Sequence, residues 1–178
     1  MKALAVGLLV AVGACGRGHA IFNVDVHSFM QGTGSDTIPY IIPPATSASA
    51  STVQKITLPP GFGSSVVDSV RITTGNANLL NTGGSGTIGF QLFFASDSAG
   101  TFTAPIALNI PATAVTGTQT VPVVITGDLS GVVDSLFRQE TVWMRIAATG
   151  TNGGVTPVTG QGVLTALVIR IVIQDKVF

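Results

Sequence analysis

Charge is scarce in this chain and is evenly divided between the two signs. Eight Lys and Arg residues balance eight Asp and Glu residues, which together make up 9% of the 178 positions. Nucleic-acid binding requires concentrated positive charge, and the basic residues here form no run or stripe. The sequence therefore argues against a nucleic-acid partner and against an electrostatic contact with a membrane surface. Disorder is excluded as well, because 46% of the residues are apolar.

Cysteine, histidine and glutamate, which carry much of enzyme and metal chemistry, are almost absent. Cys15 is the single cysteine, so an internal disulfide framework is excluded. His27 is the one histidine beyond the N-terminal leader, and no G-x-S-x-G elbow supplies a nucleophile for it. Glu140 is the one glutamate, and no second acid can be nominated for a glycosidase pair. Zinc-ligand spacing, calcium loops and phosphate-binding loops are missing too. We therefore predict no enzymatic activity, no cofactor and no metal site.

The N-terminal residues have the composition of an export signal. Met1 and Lys2 form a short positive region, and residues 3–14 form an apolar run. Such a run is too short to span a membrane comfortably and has the length of a secretory signal. Residues 1–20 are therefore assigned to a signal peptide and tether, and residues 21–178 to a single folded domain.

Two cleavage sites are present in this leader. The segment VGAC that ends at Cys15 resembles the lipobox of bacterial lipoproteins. This resemblance implies that cleavage precedes Cys15 and that Cys15 carries a lipid. It further implies an exported protein anchored in the outer membrane, the periplasm or the cell surface. The segment GHA that ends at Ala20 fits ordinary signal peptidase instead, which would release a secreted chain beginning at Ile21.

Apolar and polar residues alternate with a period of two through most of the domain, which predicts strands. Ile21–Met30 is the first of them, with Asp25 and His27 on its polar face. Turn signals recur at intervals of about eight to twelve residues, so about eight strands are expected. The predicted loops between them include residues 45–51, 75–86 and 149–161. This pattern predicts an all-β fold, an antiparallel β-sandwich or jelly roll.

Three short segments carry further signals. Apolar residues at 129, 132, 133, 136 and 137 have helical spacing, which predicts one short helix over residues 129–138. Gly83–Gly86 is interpreted as a flexible hairpin loop. The tetrapeptide VVDS occurs at 66–69 and again at 132–135, which leaves open a duplication of two similar halves.

The bulkiest side chains lie in the most aromatic predicted strand, Thr87–Ala95, and at Trp143. Most of them are expected in the core. Phe93, however, points away from the face that Phe90 and Phe94 share. Phe93 and Trp143 are therefore the candidate ligand contacts, as a stacking platform for a sugar or another apolar ligand.

Three functions are compatible with these observations. The first is a non-catalytic envelope or extracellular β-sandwich protein with a binding or scaffolding role, held by a lipid anchor. The second is a self-assembling subunit of an extracellular fibre or surface layer, in which strand 21–30 completes a neighbour's sheet edge. The third is a hydrolase centred on His27. An exposed aromatic or apolar patch would favour binding, whereas a uniform Ser and Thr surface would favour scaffolding.

Overall fold

The computed structural model describes residues 18–58, 66–133 and 135–175. Most of these residues are extended. In chain order the strands and short α-helices are β1 (Gly18–Asp25), α1 (Val26–Gln31), β2 (Thr37–Ile42), β3 (Ser47–Thr57), β4 (Val66–Gly83), β5 (Ser85–Ala95), β6 (Leu108–Thr116), β7 (Gln119–Val124), β8 (Gly127–Asp128), α2 (Ser130–Val133), β9 (Thr141–Thr151) and β10 (Val158–Asp175). Two 3-10 turns lie at Gly100–Phe102 and Leu136–Arg138.

The strands form two antiparallel sheets. In sheet A, β1 and β2 pair with successive parts of β10, β10 pairs with β4, and β4 pairs with β7 and β8. In sheet B the order is β3-β9-β5-β6. β1 with β2 can be counted as one interrupted edge strand, and β7 with β8 as another, which leaves eight strands. When these eight are numbered afresh in chain order, the order is 1-8-3-6 in sheet A and 2-7-4-5 in sheet B. This is the order of an eight-stranded jelly roll, so the predicted antiparallel sandwich is confirmed.

The core lies between the sheets and is built from alternate positions of the strands. In β10 the side chains of Leu167, Ile169 and Ile171 are fully buried, whereas Arg170 is exposed on the outer face. Burial of each such apolar side chain stabilises the fold by roughly 1.5–3 kcal/mol. This part of β10 pairs with β1 on one side and with β4 on the other. It is therefore a central strand, as its β-branched composition predicts.

The predicted strand Ile21–Met30 is wrong in its second half, because β1 ends at Asp25 and α1 follows. The Asp25 carboxylate accepts a hydrogen bond from the Ser28 backbone N–H at 3.3 Å, which caps the helix. Val26 and Met30 lie one helical turn apart and are both fully buried. The apolar positions thus follow the period of a strand up to Asp25 and the period of a helix after it.

Two of the predicted loops are strands, and both predictions are wrong for the same reason. β3 begins inside the predicted loop 45–51, and β4 extends through most of the predicted loop 75–86. Ser, Ala, Gly and Asn have weak strand preferences. Each segment nevertheless pairs with a neighbour, β3 with β9 and β4 with β10, so sheet context overrides local preference. The predicted loop 149–161 shortens to residues 152–157.

The segment Gly83–Gly86 is a corner between the sheets and not a hairpin loop. β4 belongs to sheet A and β5 to sheet B, so the chain changes sheets at Gly84. The φ angle of Gly84 is 72°, in the left-handed region that favours glycine. A Cβ atom at this position would stand 2.2 Å from the carbonyl oxygen of Pro157. The corner therefore requires glycine.

The predicted helix over residues 129–138 is confirmed as two short pieces, α2 and the second 3-10 turn. The hydroxyl of Ser130 accepts a hydrogen bond from the Val70 N–H at 2.9 Å, which fastens α2 to β4. Phe137 is buried, and its ring centroid lies 5.7 Å from that of Phe94. The helical segment therefore closes one edge of the core.

The two VVDS segments have different conformations. Residues 66–69 lie in β4, whereas residues 132 and 133 lie in α2 and residue 134 is outside the described part of the chain. Both halves of the chain also contribute strands to both sheets. The repeat therefore marks no pair of equivalent structural units.

A buried amide holds the loop that precedes β10. Asn152 is only 3% exposed. It donates hydrogen bonds to the carbonyls of Ile42 and Thr156 at 3.1 and 2.9 Å, and accepts one from the Gly154 N–H at 2.8 Å. Both donors and the acceptor of this amide are thus satisfied, as a buried polar group requires.

Candidate functional site

The predicted lipidation site, Cys15, lies outside the described residues. Residues 18–20, which the sequence analysis assigns to the tether, lie in β1 opposite residues 173–175 of β10. The side chain of Ala20 packs against the core. Among the described residues, no helix has the length and apolar character needed to cross a membrane.

His27, the candidate catalytic residue, lies half-buried on α1. Asp25, its expected neighbour on a strand face, caps this helix instead. Within the described residues no hydrogen bond or ion pair joins His27 to another side chain. The described part of the chain also contains no group of three His, Cys, Asp or Glu side chains close enough to hold a metal ion. The structure therefore brings no second catalytic group to His27 in that part.

The two predicted ligand contacts, Phe93 and Trp143, both lie on the outer face of sheet B. Phe93 faces away from the core, as expected, but it is only 7% exposed. Its cross-strand partner, Arg145, covers the ring. Phe93 therefore has little free surface in this structure, and its role as a ligand contact stays a prediction. Trp143 is half-buried on the same face, between Lys55 of β3 and Ala95 of β5.

Arg145 forms a clamp on this face with two aromatic rings and one carbonyl. Its guanidinium carbon lies 3.7 Å from the ring centroid of Phe93 and 4.9 Å from that of Phe102. Its Nε–H donates a hydrogen bond to the carbonyl of Thr101 at 3.0 Å. Burial lowers the pKa of Arg145 from its ordinary value. The Arg145 clamp thus fastens the segment 96–107 to sheet B.

No local sequence pattern identifies this clamp, because its members are far apart along the chain. Phe93 and Arg145 become neighbours only through the register of β5 with β9. Phe102 comes from the connection between β5 and β6, and it remains 61% exposed. The alternation of Phe93 with Phe94 indicates that Phe93 points outward. No local pattern, however, identifies the side chain that covers Phe93.

The end of the outer face of sheet B that lies away from Lys55 and Arg145 carries uncharged hydroxyl groups. We call this surface the hydroxyl face and define it by Ser47, Ser49, Ser51, Thr87, Thr149 and Thr151. Most of these residues line a shallow groove of about 330 Å³, together with Ala48, Ala112 and Gly150. The hydroxyls of Thr87 and Thr151 lie 2.8 Å apart and hydrogen-bond to each other. Hydroxyls of this kind donate and accept hydrogen bonds but carry no charge.

The outer face of sheet A carries charges of both signs. Arg170 and Arg71 lie directly opposite each other on β10 and β4. The Nε of Arg71 lies 3.1 Å from Oδ2 of Asp128, and both side chains are largely exposed. Hydrogen bonds from Ser130 hold the pKa of Asp128 below its ordinary value, and Arg71 adds to this effect. The two faces of the sandwich are therefore chemically distinct.

The interior offers little room for a ligand. Phe90, Ile110 and Leu167 line an apolar void of about 20 Å³ between the sheets. A void of this size holds about one water molecule. In the described residues, a ligand would therefore have more room on the surface than in the core.

No protein-family model matches the chain, and no curated protein matches it in sequence. Among solved structures, the chain is similar to a protein in the structure of infectious bursal disease virus, Gx strain, at 8% identity and a TM-score of 0.48. The match covers 100% of this chain and 37% of the virus protein, so the chain spans well under two thirds of that protein.

Two further solved structures share features with the chain. PirA matches at 13% identity with a TM-score of 0.31, covering 78% of this chain and 93% of PirA. A protein of Parabacteroides distasonis assigned as secreted matches at 18% identity with a TM-score of 0.30, covering 75% of this chain and 40% of that protein. At these values the similarities assign no activity, partner or location. The strand order and the surface define the class, which is a jelly-roll β-sandwich whose sheet B bears the uncharged hydroxyl face.

Proposed function

We propose that this chain is an exported, non-catalytic structural protein of a bacterial cell envelope, held to a membrane by a lipid on Cys15. In this role the jelly roll acts as a scaffold, with the hydroxyl face as its neutral surface. The observation that carries the proposal is the composition of the outer face of sheet B. Its hydroxyl groups are exposed, whereas Phe93, its most promising ligand contact, is covered from within the chain by Arg145.

The choice of scaffolding over binding follows from these surfaces. A binding module presents a pocket or an open aromatic patch that a ligand can desolvate. In the described residues the ring of Phe93 is packed against Arg145, Trp143 is half-buried, and the void in the core is about 20 Å³. A neutral surface rich in Ser and Thr is suited to contact with water and with other uncharged surfaces.

The pairing of β1 supports cleavage before Cys15. Cleavage after Ala20 would remove three residues of β1 that lie opposite residues 173–175 of β10. It would also remove the Ala20 side chain that packs against the core. Cleavage before Cys15 keeps the whole strand. The lipid would then be attached only three residues before β1 begins, which would hold sheet A close to the membrane.

Fractionation of cells that express the full chain tests the anchor. The wild-type protein is expected in the membrane fraction, and Cys15→Ser in the soluble exported fraction. Equal distribution of the two proteins would exclude the anchor. Chemical cross-linking in intact cells tests the scaffold role, which predicts stable complexes at native expression. A chain that stays free of protein cross-links in such cells is not a scaffold.

A further inference from the structure

A β-sandwich can associate with another chain through its edge strands, because these strands present unpaired backbone N–H and C=O groups. Within the described residues, the edges of sheet A are β1 with β2 and β7 with β8, and the edges of sheet B are β3 and β6. Proteins protect such edges with proline, charge, bulges or short length. The edges of this chain differ in how far they are protected.

Proline interrupts the edge strands at three places. Pro39 lies in β2, Pro111 in β6 and Pro122 in β7. Each lacks an N–H group and so weakens the pairing of a further strand. β8 has two residues and β1 has eight. The longest edge strand, β3, has eleven residues, no proline, no glycine and one charged residue, Lys55. β3 is therefore the least protected edge.

The backbone of β3 is regular along its whole length. Its register with β9 runs without a shift from Ser47 opposite Thr151 to Thr57 opposite Thr141. A regular strand exposes a straight row of donors and acceptors at the spacing that another strand requires. A bulge, which would bend the edge away from a partner, is absent from this pairing.

The hydrogen bonds at the two ends of β3 identify which groups face the open edge. The carbonyl of Thr46 accepts from the Asn152 N–H at 2.9 Å, and the Leu58 N–H donates to the carbonyl of Glu140 at 2.8 Å. Both residues are even-numbered and both face β9. Because backbone groups of successive strand residues point to opposite sides, the odd-numbered residues point theirs outward. These are Ser47, Ser49, Ser51, Val53, Lys55 and Thr57.

One of these outward-facing backbone groups, the carbonyl of Lys55, already has a hydrogen-bond partner within the chain. The side-chain amide of Gln54 donates to the carbonyl of Lys55 at 3.0 Å. Within the described residues, no hydrogen bond reaches the outward backbone groups between Ser47 and Val53. The open part of the edge is thus the Ser- and Ala-rich half of β3, next to the hydroxyl face.

We propose that a second copy of this chain pairs with this edge, β3 against β3, about a two-fold axis. The proposal rests on the scaffold function above and names its contact. An antiparallel register centred on Ser51 pairs Ser47 with Lys55 and Ser49 with Val53 of the other copy. All five pairs join outward-facing residues. The three central pairs form two backbone hydrogen bonds each, and the two terminal pairs form one each because the Lys55 carbonyl is bonded to Gln54, which gives about eight in all. The two sheets B become one eight-stranded sheet with a continuous hydroxyl face.

A second copy fits this edge because the pairing is self-complementary in shape and charge. The two Lys55 side chains lie opposite Ser47 at the two ends of the interface. They are separated by the length of eight residues, about 27 Å. That separation exceeds the screening length of about 8 Å at physiological salt. The chain that begins at Cys15 loses Lys2 and keeps seven basic and eight acidic residues, so its small net charge causes little repulsion between copies.

Sedimentation velocity of the mature protein over a range of concentrations tests the pairing. The wild type is expected to form a dimer. Ser51→Lys places two like charges opposite each other at the two-fold axis and is expected to weaken the dimer at least about tenfold. Thr149→Lys is the matched control, because it adds the same charge to the same face but on β9, away from the edge. It should dimerise like the wild type.

A disulfide provides a second readout. In a background of Cys15→Ser, Ser51→Cys is expected to form a covalent dimer on oxidation, because the two Cα atoms would lie about 5.5 Å apart. Thr149→Cys should form no covalent dimer. A wild type that is monomeric at every concentration, or a Ser51→Lys variant that dimerises unchanged, would overturn the pairing. A monomer that still carries a lipid on Cys15 would leave the proposed anchor intact, so the two failures can be told apart.

Discussion

Arg145 joins the segment 96–107 to the outer face of sheet B, and its replacement by alanine should weaken the whole domain. In Arg145→Ala the ring of Phe93 loses its cover and the carbonyl of Thr101 loses its donor. Cation–π contacts contribute about 0.5–1 kcal/mol each at exposed sites. A hydrogen bond from a charged donor contributes about 1.5–3 kcal/mol. Because Arg145 is partly exposed, the lower ends of these ranges apply, and the free energy of unfolding should fall by about 2–3 kcal/mol.

Thermal unfolding followed by the fluorescence of Trp143, the single tryptophan, measures this loss. For a domain of this size the Tm should fall by roughly 5–10 °C. Arg145→Lys keeps the charge but loses the Nε donor and the planar stack, so its Tm should be intermediate. Arg170→Ala is the matched control, because Arg170 is exposed on sheet A and has no hydrogen bond or ion pair within the described residues. If Arg145→Ala melted at the temperature of this control, the clamp would be refuted.

Three other perturbations have outcomes set by the same structure. Asn152→Ala should lower the free energy of unfolding by about 2–3 kcal/mol in chemical denaturation, because one buried carbonyl and two partly buried backbone groups lose their partner. The exposed control Asn109→Ala should change it by less than about 0.5 kcal/mol. Gly84→Ala should lower Tm more than Gly117→Ala, because both glycines have a positive φ but only Gly84 has backbone atoms where a Cβ would stand. The lowered pKa of Asp128 means that its ionised side chain stabilises the fold at neutral pH and loses this effect as pH falls through that pKa. The Tm difference between wild type and Asp128→Asn should therefore shrink between about pH 6 and about pH 2, and a constant difference would contradict this assignment.

The sequence predicted those strands and the helical segment whose structure depends on their own apolar side chains, and these elements define the fold class. The β-branched run of β10 and the alternation of β5 identified buried strands, and the spacing of residues 129–138 identified a helical segment. These signals are strong because burial of one face selects both the period and the register. The strand order could not be predicted, because it depends on which distant strands pair with each other.

The parts that could not be predicted depend on partners far away in the sequence. The Ser and Ala residues of β3 and the Gly and Asn residues of β4 prefer loops, and only pairing with β9 and β10 makes them strands. The end of β1 at Asp25 could not be predicted for a different reason. Aspartate occurs both as a helix cap and at polar positions of strands, so the residue type alone does not distinguish the two. The cover that Arg145 gives to Phe93 is visible only when the register of two strands is known.

The mass of the intact mature protein, purified from the membrane fraction of cells that express the full chain, tests the central proposal most directly. A lipid-anchored scaffold should give the mass of a chain that begins at Cys15 with attached acyl groups, so that all of β1 is retained. The mass of an unmodified chain that begins at Ile21 would contradict the account, because it would remove both the anchor and the first three residues of β1.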